Sequence, residues 1–355
     1  SGHGLRGMVR RDTNSPETVS VGASIKDVAR EAGVSIATVS RVINNSGSVT
    51  DATADRVRLA IDALGYRPNR FAQGLVTKRS RVIGIALPDL HGEFYAELMH
   101  RADTRAEEAG YQLLVSSGAQ RPELRLRGTL ALDLMDGLVT MVTESDGPAL
   151  DHVRSLGLPV VVIGSDLGAQ GFDAITFDNR SGTEEATRHL LRTTSPAHCW
   201  YVGGHRGNLD SDERAIEFAR VLRDAGSADA SSRVHHGEFS VEWGRRWTES
   251  MIEAGRLHGA AVLAGNDEIA IGIVDAARDA GIDVPDGLRV VGFDDSRLCT
   301  MLRPTLSSVQ VPIREAGATA IDLILSRLAE PTRPPEHVRL ATRLVERQSS
   351  RERRA

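Results

Sequence analysis

The chain has 355 residues, of which 41% are hydrophobic, 26% are charged and 4% are aromatic. This composition is typical of a globular protein of two or three domains that buries a core. The sequence contains no apolar run of roughly 18 residues, which excludes a membrane span. Residues 1–22 lack the apolar segment of a signal peptide. Two cysteines, Cys199 and Cys299, have no metal-binding spacing and fit a reducing cytosol.

The net charge of −5 is distributed unevenly along the chain. Residues 23–81 carry ten lysine and arginine side chains against five acidic ones, whereas the region after residue 81 has a net charge of −11. A basic segment attached to an acidic body predicts that the first part meets a polyanion such as nucleic acid. A charge imbalance without functional meaning is the alternative.

Residues 24–65 predict three short helices. Apolar residues recur at helical spacing from Ile25 to Ala32, and Gly33 then breaks the pattern. Ser35 is a suitable N-cap for a second helix that continues to residue 43. A third helix is expected after residue 50, with Gly65 just beyond its end.

Two short helices joined by a glycine-containing turn, in a basic segment, predict a helix-turn-helix motif. The second helix of such a motif enters the major groove, where its first residues contact base edges. Arg41 is suited to bind guanine through two hydrogen bonds, and Ile36 or Ala37 to contact a thymine methyl. A small helical cap with a solvated face is the alternative. The predicted DNA-contacting residues of the motif are Ser35, Ile36, Ala37, Thr38, Ser40 and Arg41.

From residue 81 onward, apolar runs of strand length alternate with segments of helical periodicity. This alternation is typical of α/β proteins with doubly wound parallel sheets, whose strands are covered on both faces. Because there are too many units for one ordinary sheet, we predict two lobes with a cleft at the carboxyl ends of the strands. The predicted strands are 82–87, 111–115, 137–142, 159–163, 174–177, 199–202, 261–264 and 290–293, and the predicted helices include 94–109, 181–191, 212–225 and 268–280.

Residues 24–35, with the sequence SIKDVAREAGVS, and residues 36–44, with the sequence IATVSRVIN, closely resemble the DNA-binding head of the LacI/GalR family of bacterial repressors. The resemblance continues in the family's order to about residue 349. The further matching segments are 66–69, 81–84, 136–137, 178–179, 266–267, 291–295 and 304–309.

The resemblance implies a cytoplasmic, homodimeric transcriptional regulator, in most cases a repressor, that binds pseudo-palindromic operator DNA. A small effector, a sugar or sugar derivative, would bind between the lobes and control operator affinity. The implied organisation is a disordered leader (1–22), a helix-turn-helix head (23–66), a hinge (67–80) and a two-lobed effector-binding and dimerisation domain that resembles periplasmic binding proteins (81–355).

In the hinge, the resemblance places Leu75 where the family has a leucine wedge in the minor groove. The alternative for Leu75 is a leucine that packs against the helix. Asn69, Arg70 and Lys78 are the further expected DNA contacts. Pro68 and Gly74 fit a segment that becomes helical only on DNA.

The resemblance also implies an effector pocket. Its aromatic side chains are suited to stack on a sugar or base face, Arg214 to donate to hydroxyls or a carboxylate, and Asp294 to accept from hydroxyls. Alternatively, the aromatic pair belongs to the core turn of a helix, and Asn266 and Asp294 serve as a cap or turn. The implied pocket residues are Phe94, Tyr95, Met141, Arg214, Phe239, Asn266 and Asp294.

The chain departs from the family pattern at positions that bear on the pocket. Gly164 and Ser165 stand where many members have an acid followed by arginine, Val311 stands for a glutamine, and Glu217 stands for a glycine. These departures leave the identity of the effector open.

Sequence signals for catalysis are weak. We expect that the protein is not an enzyme and that it has no cofactor site and no metal site. The sequence has no GxSxG, HExxH, Walker A or GxGxxG motif, and residues 203–207 favour a plain turn over a phosphate cradle. His235 and His236 would point to opposite faces of a strand, and so would Asp294 and Asp295. An exported solute-binding protein and a doubly wound enzyme are the alternatives. The missing export signal and the helix-turn-helix head count against the first, and the missing catalytic motifs count against the second.

Overall fold

The computed structural model describes residues 23–43, 47–67, 79–117, 135–142, 157–166 and 170–351. The chain divides into two compact units, residues 1–78 and 79–355. The predicted leader (1–22) and most of the predicted hinge (68–78) lie outside the described residues. Within them, no helix combines the length and apolarity that crossing a lipid bilayer requires.

The first unit contains the three predicted helices, α1 (Ile25–Ala32), α2 (Ile36–Ile43) and α3 (Asp51–Leu64). Gly33 ends α1 in the left-handed conformation with φ of 61°, which glycine adopts without a steric penalty. Ser35 then begins α2, because its Oγ accepts a hydrogen bond from the backbone N–H of Thr38 (3.1 Å). The predicted turn and N-cap are therefore confirmed.

One side of each of these helices forms the core of the first unit. Val28 of α1, Val39 of α2 and Val57 of α3 are completely buried and belong to one hydrophobic cluster. Val42 packs against the same cluster. Because Val39 and Val42 face inward, the other side of α2 is left to solvent.

The second unit alternates strands and helices, as predicted. Its strands are β1 (Val82–Leu87), β2 (Gln112–Ser117), β3 (Gly137–Met141), β4 (Val160–Ile163), β5 (Asp173–Phe177), β6 (Cys199–Gly203), β7 (Val234–His236), β8 (Ala260–Ala264), β9 (Leu288–Asp294), β10 (Ser307–Gln310), β11 (His337–Leu340) and β12 (Arg343–Val345). Its helices are α4 (Gly92–Glu108), α5 (Asn179–Leu191), α6 (Leu209–Asp224), α7 (Val241–Glu253), α8 (Asp267–Asp279), α9 (Leu298–Met301) and α10 (Ile313–Ala329).

The strands form two six-stranded sheets, one in each lobe. The order is β11-β5-β4-β3-β1-β2 in the first lobe and β12-β10-β9-β8-β6-β7 in the second. The pairs are parallel except for β10 with β12, which is antiparallel. The central strands β3, β4 and β8 are buried along their whole length, as expected where helices cover both faces of a sheet. The predicted α/β class with two doubly wound lobes is confirmed.

The chain passes between the lobes three times, after β5, after β10 and after β11. The crossings after β5 and after β11 are joined by hydrogen bonds. Thr342 donates from Oγ1 to the carbonyl of Asp178 (2.7 Å), and the N–H of Asp178 donates to the carbonyl of Leu340 (2.8 Å). The carboxyl ends of parallel strands in both sheets consequently border the space between the lobes.

The start of the second unit is fixed to the first lobe by one carboxylate. Asp136, just before β3, accepts hydrogen bonds from the N–H and Oγ of Ser80 (2.7 and 2.9 Å) and from the N–H of Arg81 (3.1 Å). The N–H of Asp136 in turn donates to the carbonyl of Val82 (2.8 Å). The backbone that enters β1 is therefore held at its first residues.

Candidate functional site

The outer side of α2 presents a small exposed surface in the first unit. Ala37 and Arg41 are exposed, and Ile36 retains 44% exposure although it is a large apolar residue. Ser35 is exposed, whereas Thr38 and Ser40 are partly buried. The structure thus brings the six predicted residues of the motif to one helix and its N-cap. Asn69, Arg70, Leu75 and Lys78 lie outside the described residues, and their roles stay predictions.

A cavity of about 930 Å³ lies between the two lobes of the second unit. This volume falls in the range of small-molecule sites. All seven residues of the predicted pocket line the cavity, namely Phe94, Tyr95, Met141, Arg214, Phe239, Asn266 and Asp294. Residues that are up to 200 positions apart in sequence therefore line the same cavity. Their assignment as effector ligands stays a prediction.

Arg214 occupies the floor of the cavity, where it is held on three sides. Its guanidinium donates from Nε to Oδ1 of Asn179 (2.8 Å) and from Nη1 to the carbonyl of Gly265 (2.7 Å). Its Cζ lies 3.7 Å from the centre of the Phe293 ring. Because the side chain is fixed in this way, its remaining N–H groups are oriented before any ligand binds.

Asn179 is the residue that positions Arg214, and sequence analysis missed this role. It is the first residue of α5, is buried, and donates from Nδ2 to Oδ1 of Asp210 (2.7 Å). The sequence signal for this role was the pair Asp178-Asn179 directly after β5, which the sequence analysis used only as evidence of family resemblance. The residue links the α5 helix to the arginine on α6.

Several cavity residues also have the structural roles that were the alternatives. Asn266 is the N-cap of α8, since its Oδ1 accepts from the N–H of Ile269 (2.9 Å), while its Nδ2 is not needed for the cap. Phe94 and Tyr95 belong to the first turn of α4, and both pack against the core while lining the cavity. Their rings meet edge to face, with centroids 5.4 Å apart. A structural role and a place in the cavity lining are therefore compatible for these residues.

Asp294 and Asp295 form a strained turn at the end of β9. Both have positive φ angles, 110° and 60°, which are uncommon for residues other than glycine. Both residues line the cavity, but their side chains have different neighbours: Asp295 contacts Gln310 and Arg347, whereas Asp294 lies near Arg214 and Asp267. The expectation from strand alternation that the two side chains point in opposite directions stays a prediction.

Asp267 holds this turn in place and is a second residue that sequence analysis missed. Its carboxylate accepts from Oγ of Ser308 (2.6 Å) and from the N–H of Ser296 (2.7 Å), and Ser308 in turn accepts from the N–H of Asp295 (3.0 Å). Asp295 also forms an ion pair with Arg347 (2.6 Å). Ser308 and Arg347 come from later parts of the chain, so their meeting could not be read from local sequence.

The cavity floor is an electrostatically unfavourable place for a carboxylate. Burial, followed by the nearby charge of Asp267, raises the pKa of Asp294 well above its usual range, although Arg214 acts in the opposite direction. Burial and the charges of Glu242 and Asp89 likewise raise the pKa of Glu268. Removal from water disfavours the ionised form of each group.

The remaining candidate motifs have local structural partners. In the glycine-rich turn, the N–H of Gly207 donates to Oδ2 of Asp212 (2.9 Å). His235 contacts the rings of Trp200 and Trp247, whereas His236 pairs through Nδ1 with the carbonyl of Gly204 (3.1 Å). The different neighbours of the two histidines agree with the predicted opposite directions. No group of three metal-ligating side chains is found among the residues that the structure describes.

One contact joins the lobes at the mouth of the cavity. Both carboxylate oxygens of Glu93, on α4 of the first lobe, accept from the N–H of Arg297 (3.0 Å each) at the start of α9 in the second lobe. The contact is absent if the lobes separate, so Glu93 favours the closed arrangement.

We predict that Glu93→Ala opens the cavity more often. The N–H of Arg297 should then exchange with solvent about 2- to 5-fold faster, as expected for loss of one exposed hydrogen bond of about 0.5–1 kcal/mol. Hydrogen–deuterium exchange of a peptide that contains Arg297 measures this. Glu97→Ala is the matched control, because Glu97 lies one turn further along α4 and pairs with Arg314 within the same lobe (2.7 Å). Equal exchange in both variants would contradict the role of Glu93.

Two family profiles match the chain. The profile "Bacterial regulatory proteins, lacI family" matches residues 24–69, and the profile "Periplasmic binding protein-like domain" matches residues 191–350. Catabolite control protein A of Priestia megaterium is 31% identical over 330 residues, which is 92% of this chain and 99% of that protein. The chain belongs to the lacI family.

Solved structures of lacI-family proteins agree with this membership. The lac repressor dimer bound to operator and the anti-inducer ONPF has a TM-score of 0.83 at 25% identity, covering 93% of this chain and 99% of that one. The complex of the transcriptional regulator CelR with cellobiose has a TM-score of 0.69 at 28% identity, covering 92% of this chain and 99% of that one. The predicted family and the function of a DNA-binding transcriptional regulator controlled by a small effector are confirmed.

Proposed function

We propose that this lacI-family protein is a homodimeric repressor in which the cavity between the lobes binds the effector and α2 reads the operator. The observation that carries the proposal is the cavity itself. It is closed by two lobes, it is lined by aromatic rings and fixed polar groups, and the same chain carries a helix-turn-helix head.

The head supports a role in reading DNA sequence. An α-helix fits the major groove, and the exposed side of α2 offers both apolar contacts and one long cationic side chain, Arg41. The two helices on either side of the turn, α1 and α2, share a buried core with α3, so α2 is presented as a rigid element. Two protomers related by a two-fold axis would present two such helices to a pseudo-palindromic site.

The cavity supports binding of a compact polyhydroxylated effector. Within the part of the chain that the structure describes, Arg214 has N–H groups without an acceptor, and the amide N–H₂ of Asn266 has no acceptor beside the cap that its oxygen makes. Phe94 and Tyr95 line the cavity from one lobe, and Phe239 lines it from the other. An effector that touches both lobes has different affinities for the open and closed arrangements, which is the requirement for control of operator affinity.

We propose further that the protein acts in the cytoplasm, where operator DNA is found, and that it turns over no substrate. The named relatives are regulators, and the chemistry at the cavity floor is that of binding. Arg214 and Asn179 are hydrogen-bonded to each other, and the carboxylate of Asp267 accepts from Oγ of Ser308, from the N–H of Ser296 and from Sγ of Cys299 (3.1 Å). Burial and the charge of Asp267 raise the pKa of the Cys299 thiol, which disfavours the nucleophilic thiolate.

Selection of DNA from a random duplex pool tests the proposal. The purified protein should enrich a sequence with two inverted half-sites, and fluorescence anisotropy should show binding that weakens steeply with salt. Addition of an effector should change operator affinity by about 5- to 150-fold. Enrichment of no inverted repeat, or of a single half-site bound by a monomer, would contradict it.

A further inference from the structure

The cavity between the lobes carries an excess of negative charge. Among the residues that the structure describes, its lining includes ten carboxylate side chains and four arginines. Most of these carboxylates have a partner within the protein; Glu97, for example, pairs with Arg314 (2.7 Å) and Asp295 with Arg347 (2.6 Å). The excess therefore depends on the carboxylates that have no such partner.

Glu268 and Asp294 are two of these carboxylates. Within the described part of the chain, neither side chain accepts a hydrogen bond or forms an ion pair, and both line the cavity. Asp294 lies at the floor, at the end of β9. Glu268 lies in the first turn of α8 and reaches the other lobe, since a methyl group added to Gly92 would lie 3.1 Å from its Oε1.

Arg214 offsets the charge of this pair only in part. Its guanidinium forms no ion pair with either carboxylate in the described part of the chain, and it is held by the neutral groups of Asn179, Gly265 and Phe293. Around Asp294, the charges of Asp267, Asp210 and Glu268 outweigh that one cation. Carboxylates that lose hydration without a counter-charge are costly, and a bound cation offsets that cost.

The aromatic side chains of the cavity are also suited to a cation. Phe94 and Tyr95 contribute rings from the first lobe, and Phe239 contributes a ring from the second. Ring faces attract a cation that lies within about 6 Å of their centres. The ring of Phe239 is fixed close to the backbone, because a Cβ at Gly204 would overlap with it.

We infer that the effector is a polyhydroxylated compound with a primary amine, of which an amino sugar is the simplest form, and that its ammonium group binds between Glu268 and Asp294. This inference rests on the proposed function, because it assigns a ligand class to the same cavity. A neutral sugar offers the two carboxylates hydroxyl donors alone. An ammonium group donates charge-assisted hydrogen bonds, which are roughly twice as strong, and cancels one charge.

Pairs of sugars that differ in one group provide the test. The probes are glucose and glucosamine, galactose and galactosamine, and mannose and mannosamine, measured by isothermal titration calorimetry with the full-length protein at neutral pH. We expect the amine of at least one pair to bind about tenfold more tightly than its neutral partner. Glu268→Gln should reduce this preference to less than about threefold, because the amide keeps an oxygen that accepts from hydroxyl groups but carries no charge to attract the ammonium group.

Glu315→Gln is the matched control, because Glu315 is an exposed carboxylate of the same lining and its charge is screened by solvent. It should keep the full preference for the amine. Equal or tighter binding of the neutral sugars, binding by none of the six compounds, or loss of preference in Glu315→Gln as large as in Glu268→Gln would overturn the inference. The proposed function would still stand if a neutral sugar changes operator affinity, and it fails separately if no inverted repeat is selected.

Discussion

Arg214→Ala should abolish most of the effector's influence on operator binding while the affinity of the effector-free protein for operator stays near that of the wild type. The guanidinium supplies donors from the cavity floor, and it is far in sequence from every residue assigned to DNA. Fluorescence anisotropy titrations of operator, with and without the sugar that acts most strongly on the wild type, measure both quantities. A response of wild-type amplitude at the wild-type effector concentration would place Arg214 outside the site.

The same substitution should also lower the free energy of unfolding by about 1–3 kcal/mol. It leaves Oδ1 of Asn179 and the carbonyl of Gly265 without a donor in a buried region. Arg223→Ala is the matched control, since Arg223 lies on the exposed side of the same helix, α6. It should retain both the effector response and the thermal stability. A fall in stability without loss of response would assign Arg214 a purely structural role.

Arg41→Ala should weaken operator binding by roughly 1–3 kcal/mol and relax base preference at one position in each half-site. The reason is that this substitution would remove the predicted bidentate contact with guanine, while the predicted contacts to phosphates would persist. Binding to random DNA should change little by comparison. A competition titration with operator and single-base variants measures the preference at each position.

Arg58→Ala is the control for charge. Arg58 is exposed on α3 and forms an ion pair with Asp55 (2.8 Å), so its removal subtracts the same formal charge away from the outer side of α2. It should affect operator and random DNA about equally. If Arg41→Ala behaves in the same way, Arg41 contacts phosphate and not a base.

Secondary structure could be predicted from sequence where burial produces an apolar signal. The run 82–87 became β1 without change, and the helices around Gly33 became α1 and α2 as expected. The strand β10 gave no such signal, because its buried residues Ser307 and Ser308 are polar. Their hydroxyls donate to the carbonyl of Arg347 (3.1 Å) and to the carboxylate of Asp267 (2.6 Å), respectively. From sequence alone, serines of a buried strand cannot be distinguished from serines of an exposed loop.

Helices that are covered on several sides were also difficult to predict. In α10, the buried residues include Ala316, Ala320, Leu323 and Ile324, because the helix packs on the first sheet and on α4 at once. The apolar residues therefore extend around the helix and give no single stripe. The segment was consequently not among the helices named from the sequence, although it packs against β3, β4 and α4 of the first lobe.

For the cavity, the residues could be predicted from the sequence but their orientation could not. The resemblance named seven side chains that the structure brings around one space, but it gave no reason for their orientation. That reason lies in pairs such as Asn179 with Arg214 and Asp267 with Ser308, whose members are 35 and 41 residues apart. Only the topology of the second lobe brings them into contact.

The attachment of Ser80 and Arg81 to Asp136 has a consequence for how such proteins diversify. The three hydrogen bonds that begin the second unit are made within that unit, so they do not depend on which residues precede Ser80. A recombination event upstream of Ser80 can therefore give the second unit a different head and leave its ligand cavity intact. The unit that carries the DNA-binding head and the unit that carries the ligand cavity can in this sense be exchanged separately. The contacts of Asp136 with Ser80 and Arg81 mark where the second unit begins.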